Sequence, residues 1–562
     1  LLSQPCAGSF FAHQQSAHKA IDDPCCYLSE AVMHQSGWVI VLISVTATAQ
    51  VTLPVPTHIR SGETLALACG RIYSGELDLA NLQDVTISTD GDCGAATITP
   101  ARLVTGWQPD RQPGVWRAPL DMVPTQIELG GQFIALAHHP NTPQTWAKGQ
   151  SRLPGQLQAP MPQSDLAGAT LVWRAADWLI QTRPVAHYEN GTLFIASGKD
   201  DEFGLLPETE FYVEGKRWML DSPGEWSYAD GWLFVWPPDG KSPEGRTWAA
   251  PRARGINASG SRGVRITQVQ IRNATLGIDG SNAQDLLVRD TAIINSGEDA
   301  FLAGGRGLRI KQLRITGAVE NGIRANDDAR DVEITDSQID GAGMLGMPRR
   351  SKGAIVFEQS IGHTILRNRI THSAYIAIRV FRDALVADNH IEYACLRLTD
   401  CGGIYTFARD RQPLRTRIER NRISHLAGRM AHAIYLDDEA NGVTVRDNTM
   451  TDNPGGMQLH NAFNNVIRHN IFSDNRFEQI LFNETGKVAA ITRNVIAQNR
   501  FSSTIKAPTY RLWSVHGSRY VHQFAQFDDN DYVALQKDFA EVAGSGLMNY
   551  SRWMQSIQMP RH

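Results

Sequence analysis

Three aspartates in two short segments are the residues best suited to chemistry. Asp400 lies in TDCGGIYT (399–406), and Asp437 and Asp438 close HAIYLDD (432–438). Paired carboxylates can divide the work of glycoside hydrolysis. One acid protonates the leaving oxygen, and the other attacks as nucleophile or activates water. That division needs two acids with separated pKa values, which a neighbouring like charge and apolar walls supply. Tyr405 and Tyr435 offer faces for a sugar ring. Arg379 is suited to hold a substrate carboxylate or to tune an acid. His460 can bond Asp437 or act as an acid or base near neutral pH. The competing assignment for the three aspartates is structural, as turn residues that cap backbone amides.

Whether these residues meet depends on the elements that carry them. From residue 264 onward a short pattern recurs. Its ten copies end on Ile271, Ile293, Ile315, Ile339, Ile370, Ile391, Ile423, Met450, Phe472 and Ile496. The basal spacing is 22, stretched in places by insertions, which marks a solenoid. Apolar and polar residues alternate over short stretches, so the units are strands. Asn368, Asn389, Asn421 and Asn448 each stand two residues before the last apolar position. Asn accepts left-handed backbone and can ladder its amide between stacked turns. These features predict an all-β chain built on a right-handed parallel β-helix.

Each unit also carries a second strand, usually opened by a small residue, as in AIRVF (377–381), GIYTF (403–407), AIYLD (433–437) and GMQLH (456–460). Its second residue points inward and its third and fifth point outward. One outward column then runs Asp279, Arg324, Val356, Arg379, Tyr405, Tyr435, Gln458, Leu481. The other runs Asn326, Glu358, Phe381, Phe407, Asp437, His460, Asn483. Coils stack about 4.8 Å apart, which puts Asp400 and Asp437 within roughly 5–10 Å. Glu358 lies three coils from Asp437 and Glu484 two coils away on the other side. Both, with Arg324, are expected to bind substrate. Acidic clusters can bind Ca²⁺, but no D-x-D-x-D loop or H-E-x-x-H is present, and no metal or other cofactor is expected.

The 562 residues carry 54 Lys and Arg against 58 Asp and Glu, a net charge of −4. That balance argues against a nucleic-acid or anionic-membrane partner. No apolar run is long enough to span a bilayer. Residues 1–49 read as a leader. WVIVLISV (38–45) precedes Ala47-Thr48-Ala49, which predicts cleavage near Gln50 and a secreted or periplasmic protein. Cys69, Cys93, Cys395 and Cys401 then form an even set, able to make two disulfides or to remain buried thiols. Ten of thirteen Trp fall between Trp107 and Trp248. Turns such as PGEW, ADGW and PPDG punctuate this stretch, and it reads as a small β-sandwich-like domain inserted in the solenoid. Core is the expected place for most of its Trp. The expected division is N-terminal coils at 50–125, the insertion at 126–250, the main β-helix at 251–510 and a cap or tail at 511–562.

The combination of IELGGQFIALAHHPN (127–141), LDSPGEWSYADGWLFVWPPDG (220–240), DCGGIYTF (400–407) and AIYLDDEANGVTVRDN (433–448) resembles β-helix carbohydrate-active proteins. It is most similar to glycoside hydrolases with a β-sandwich inserted in the solenoid, of the β-xylosidase and fucosidase/xylanase type. The resemblance spans about residues 60–555. It implies a carbohydrate substrate and places Asp437 and Asp400 at the catalytic positions. This chain departs by carrying His460 on the next coil, where a second acid would be convenient. Three functions stay open: a glycoside hydrolase, a polysaccharide lyase acting on uronates through a base such as Arg324, Arg379 or His460, and a non-catalytic glycan-binding solenoid.

Overall fold

The computed structural model describes residues 52–558, apart from 142–145, 196–203, 351, 487–488, 516–520 and 534–536. The leader expected at 1–49 lies outside the described residues. Among the described residues, three long sheets of 14, 13 and 14 strands, parallel except for the last pair of the third, are built with each coil giving one short strand to each sheet. This is a parallel β-helix. Its core is a set of stacked apolar columns. In the 13-stranded sheet, Ile266, Val288, Ile310, Ile334, Ile365, Val386, Ile418, Val445, Ile467 and Ile496 stand in register. All ten are fully buried. Burying one such side chain contributes about 1.5–3 kcal/mol, so repetition compensates for the shortness of each strand.

The expected column of terminal apolar residues holds from Ile271 to Phe472. Its tenth member is Phe501 and not Ile496, which belongs to the neighbouring sheet opposite Ile467. Both residues follow an Asn by two positions, and that coil is long, so the local pattern fits either register. The Asn ladder is longer than its four expected members. It continues from Asn448 through Asn470 and Asn499 to Asn530, each side-chain amide donating to the next carbonyl oxygen at 2.9–3.0 Å. Asn421 is fully buried, donates to Val386 O, and accepts from the backbone and side chain of Asn389. Asn421→Ala would strand these partners and is expected to cost about 2–3 kcal/mol. A lowered guanidinium midpoint at unchanged slope is the corresponding measurement.

The first coils end with Ala96–Thr99. Arg102–Leu103, Gln108–Pro109 and Trp116–Pro119 already belong to an eight-stranded, mostly antiparallel sheet that closes with Thr247–Ala250. The strands outside the three long sheets therefore start at Arg102, ahead of the expected insertion at 126–250. Strands of two to four residues there have no hydrophobic period that would reveal the change of sheet. A second, seven-stranded antiparallel sheet is built from His138 to Glu214. Each sheet has its own apolar core. Only Trp173 and Trp226 of the ten Trp are buried there, seven are half-buried, and Trp178 is 41% exposed, so the expectation that most are core is not met.

The solenoid also runs past 510. Tyr510–Ser514, Ala525–Asp528, Asp531–Val533 and Ala540–Val542 extend the three sheets. The helix Tyr550–Ile557 then covers the end. Asn549 caps its first turn, and buried Trp553 stacks on Tyr510 at 4.9 Å. Among the described residues no helix is long and apolar enough to cross a membrane.

Candidate active site

The site lies on the outer surface of the third sheet. Here Ile378–Arg379, Gly402–Phe407, His432–Asp437 and Gly455–His460 pair in order. Arg379, Tyr405, Tyr435 and Gln458 form one outward column, and Phe407 pairs with Asp437 in the other. A coil at Phe301–Ala303 adds Leu302 between Asp279 and Arg324. The small residue opening each strand has a steric cause. A Cβ at Gly403 would stand 2.7 Å from Ala433 O on the next coil.

These columns wall a cleft of about 760 Å³ that gathers Asp400, Asp437, Asp438, Arg379, His460, Tyr405, Tyr435 and Glu358. Asp437 is the best-held acid. Tyr405 Oη donates to its Oδ2 at 2.6 Å, and His460 Nδ1 donates to its Oδ1 at 2.5 Å. Burial opposes its charge, but the bonds and charge of His460 and the bond from Tyr405 win, holding its carboxyl below the usual range. His460 shows the converse. Burial disfavours its imidazolium, yet the bond to Asp437 and the surrounding carboxylates raise its pKa. Tyr405 and Tyr435 are raised by burial and by the charge of Asp437, so both remain phenols.

Asp400 behaves in the opposite way. Burial, then the charge of Asp437, push its carboxyl up to about 6. Its loop is closed by the Cys395–Cys401 disulfide and is packed through Leu398 against Val172, Ile180 and Tyr212 of the insertion. A second disulfide joins Cys69 and Cys93. Asp438 is raised by burial and by Asp437, and its Oδ2 accepts from Arg409 at 3.1 Å. One ligand atom each from Asp437, Asp438 and His460 falls within 4.8 Å of the others, the arrangement in this cleft that a cation could use. In the structure His460 Nδ1 and Asp437 Oδ1 bond each other, while His460 Nε2 has no hydrogen-bond partner among the described residues.

Two expected substrate-binding residues lie outside the cleft. Arg324 is taken by Asp299 at 2.6 Å. Glu484 is buried and accepts from Ser514 Oγ at 2.5 Å and Ile491 N at 3.1 Å. It follows the outward Asn483, so strand alternation turns it away from that face.

Other contributors had no signal in the local sequence. Tyr375 and Arg409 line the cleft, as do Trp178 and Leu179 from the insertion. The turn before Trp178 is pinned to the solenoid: Asp177 O accepts from Thr399 N at 3.1 Å and Asp400 N at 3.4 Å. His432 Nε2 meets Glu478 Oε1 at 3.0 Å across the coil of Gly455. That contact needs glycine, because a Cβ at Gly455 would stand 2.5 Å from His432 Nε2. The column of His432 is interrupted by glycines on both sides, which was the available clue.

Tyr405→Phe would delete one of two side-chain donors to Asp437. The expected result is a roughly tenfold fall in turnover and an acid limb moved to higher pH, since a less stabilised carboxylate protonates sooner. A pH–rate profile of the variant measures both.

Fold comparisons agree with this architecture. The family description "Right handed beta helix region" matches residues 300–463 and 353–522. A solved structure described as "Glycoside hydrolase" is 12% identical and has a TM-score of 0.58, covering 84% of this chain and 90% of its own. XylC in complex with xylose is 12% identical at a TM-score of 0.35, covering 90% of this chain and 76% of its own. The A-module of the Azotobacter vinelandii mannuronan C-5 epimerase AlgE6 is 11% identical at 0.31, covering 51% and 81%. No curated protein sequence matches the chain. The protein is a right-handed parallel β-helix.

Proposed function

We propose that the protein is a glycoside hydrolase whose cleft cleaves a glycan with Asp400 as general acid and Asp437 as nucleophile or general base. The observation that carries this reading is the separation of two neighbouring acids. One is raised to about 6 and keeps its proton at pH below that, and the other is held ionised by Tyr405 and His460. That is the division of labour glycoside cleavage requires. Asp400 gives its proton to the leaving oxygen. Asp437 attacks the anomeric carbon or takes the proton of the attacking water.

The lyase alternative needs a base and a cation for the substrate carboxylate. Of its three candidates, Arg324 is held by Asp299 outside the cleft, and Arg379 and His460 each spend one nitrogen on an acid of the site, Glu358 and Asp437. The binding-only alternative gives no reason to hold a half-buried Asp400 beside the charge of Asp437, where desolvation and that charge both oppose its ionisation.

The two disulfides suit an oxidising compartment, which supports export. The test is to incubate the protein with a polysaccharide panel and follow both reducing ends and absorbance at about 235 nm, where an unsaturated uronide absorbs. Reducing ends without that absorbance are expected. A rise in that absorbance would establish β-elimination and overturn the assignment.

A further inference from the structure

We infer that the cleft takes an uncharged sugar ring laid against Trp178, which makes the inserted segment a specificity element of the site. This inference rests on the glycosidase reading and adds the substrate class to it.

The first observation is the charge of the cleft. Its walls carry Glu358, Asp400, Asp410, Asp437 and Asp438 against Arg379, Arg409 and His460. Each of these cations already has a carboxylate: Arg379 bonds Glu358 at 3.1 Å, Arg409 bonds Asp438 at 3.1 Å, and His460 bonds Asp437 at 2.5 Å. Five carboxylates against three cations leave the walls net negative, so a substrate carboxylate brought among them meets like charges in a partly buried site. Neutral hydroxyls face no such penalty. They can donate to the same carboxylates, whose acceptor capacity exceeds one bond.

The second observation is the tip of the insertion. Trp178 sits in the turn between Thr170–Ala176 and Leu179–Glu189 and lines the cleft with 41% of its surface exposed. The residue before it is fixed from two directions. Asp177 O accepts from the Thr399 and Asp400 amides, and Asp177 Oδ1 accepts from Thr399 Oγ1 at 2.9 Å. The antiparallel partners of this hairpin bury Val172 and Ile180 against the loop that carries Asp400. A large apolar ring is thus held on a fixed support beside the general acid. A sugar has an apolar face for the indole and a hydroxyl rim for the acids, which is the mixture such a site accommodates.

The experiment uses the full chain, its Trp178→Ala and Trp178→Phe variants, and two probes. One is a glycan array of neutral and uronate-containing oligosaccharides. The other is a set of 4-nitrophenyl glycosides of neutral sugars and of uronic acids. The expected result is capture and turnover confined to neutral members. Trp178→Ala should weaken capture and raise KM by about tenfold, with a smaller fall in kcat and recovery in Trp178→Phe. Capture of uronates alone, capture of no neutral glycan, or a Trp178→Ala protein that binds as the parent does would each overturn the inference. Trp178-dependent capture of neutral glycans without hydrolysis would leave it standing and remove the glycosidase reading instead.

Discussion

Asp437→Asn is expected to reduce glycoside hydrolysis by about 1,000-fold or more. The substitution keeps the size of the side chain and one oxygen to accept from Tyr405 or His460. It removes the negative charge that both donors are arranged to hold. An amide can neither attack an anomeric carbon nor deprotonate water. His460 would also lose the bond and charge that raise its pKa. Steady-state kinetics on aryl glycosides, with circular dichroism as a check on folding, give the measurement. A folded variant turning over within about threefold of the parent would end the Asp437 assignment.

Asp400→Asn carries the second large effect, and its signature is a pH profile. As general acid, Asp400 works only while protonated, so activity falls as pH rises through its value of about 6. Asp437 works only while ionised, and its value lies below the usual carboxylate range, so activity falls again at strongly acidic pH. The parent should show a bell whose active range lies on the acid side of about 6. Asp400→Asn should lose about 100- to 10,000-fold on substrates with poor leaving groups and should lose the alkaline limb near 6. On 2,4-dinitrophenyl glycosides, whose leaving group needs no proton, the loss should shrink. An alkaline limb that survives in the variant would assign the acid role elsewhere, with the raised Asp438 the next to test.

Several parts of this site were legible from residue order because a β-helix translates sequence into space simply. Strand alternation sends Tyr405 and Tyr435 outward while Ile404 and Ile434 point in, and stacking sets like positions one above another. That is why the column from Arg379 through Tyr405 and Tyr435 to Gln458 emerged from a list of short strands. The same logic fails where the repeat loses its alternation or is stretched. The coil of Phe301–Ala303 is apolar throughout, with Leu302 facing outward, and carries no alternation to read. Ile496 and Phe501 exchanged places because a long coil offered two equivalent registers.

Sequence alone determined the solenoid, the outward face and the candidacy of Asp400, Asp437 and His460, since each follows from periods of two and of about 22 residues. Tertiary structure decided what those residues are. The bond between Thr399 and Asp177 joins positions 222 residues apart, and no local pattern encodes it. That contact brings Trp178 to the cleft. Packing of the insertion against the Asp400 loop supplies the burial that raises one acid, while Tyr405 and His460, from the coils on either side of the Asp437 strand, lower the other. The carboxylates are alike in sequence. Desolvation and hydrogen bonding, which exist only once the coils stack and the hairpin docks, make one a proton donor and the other an anion.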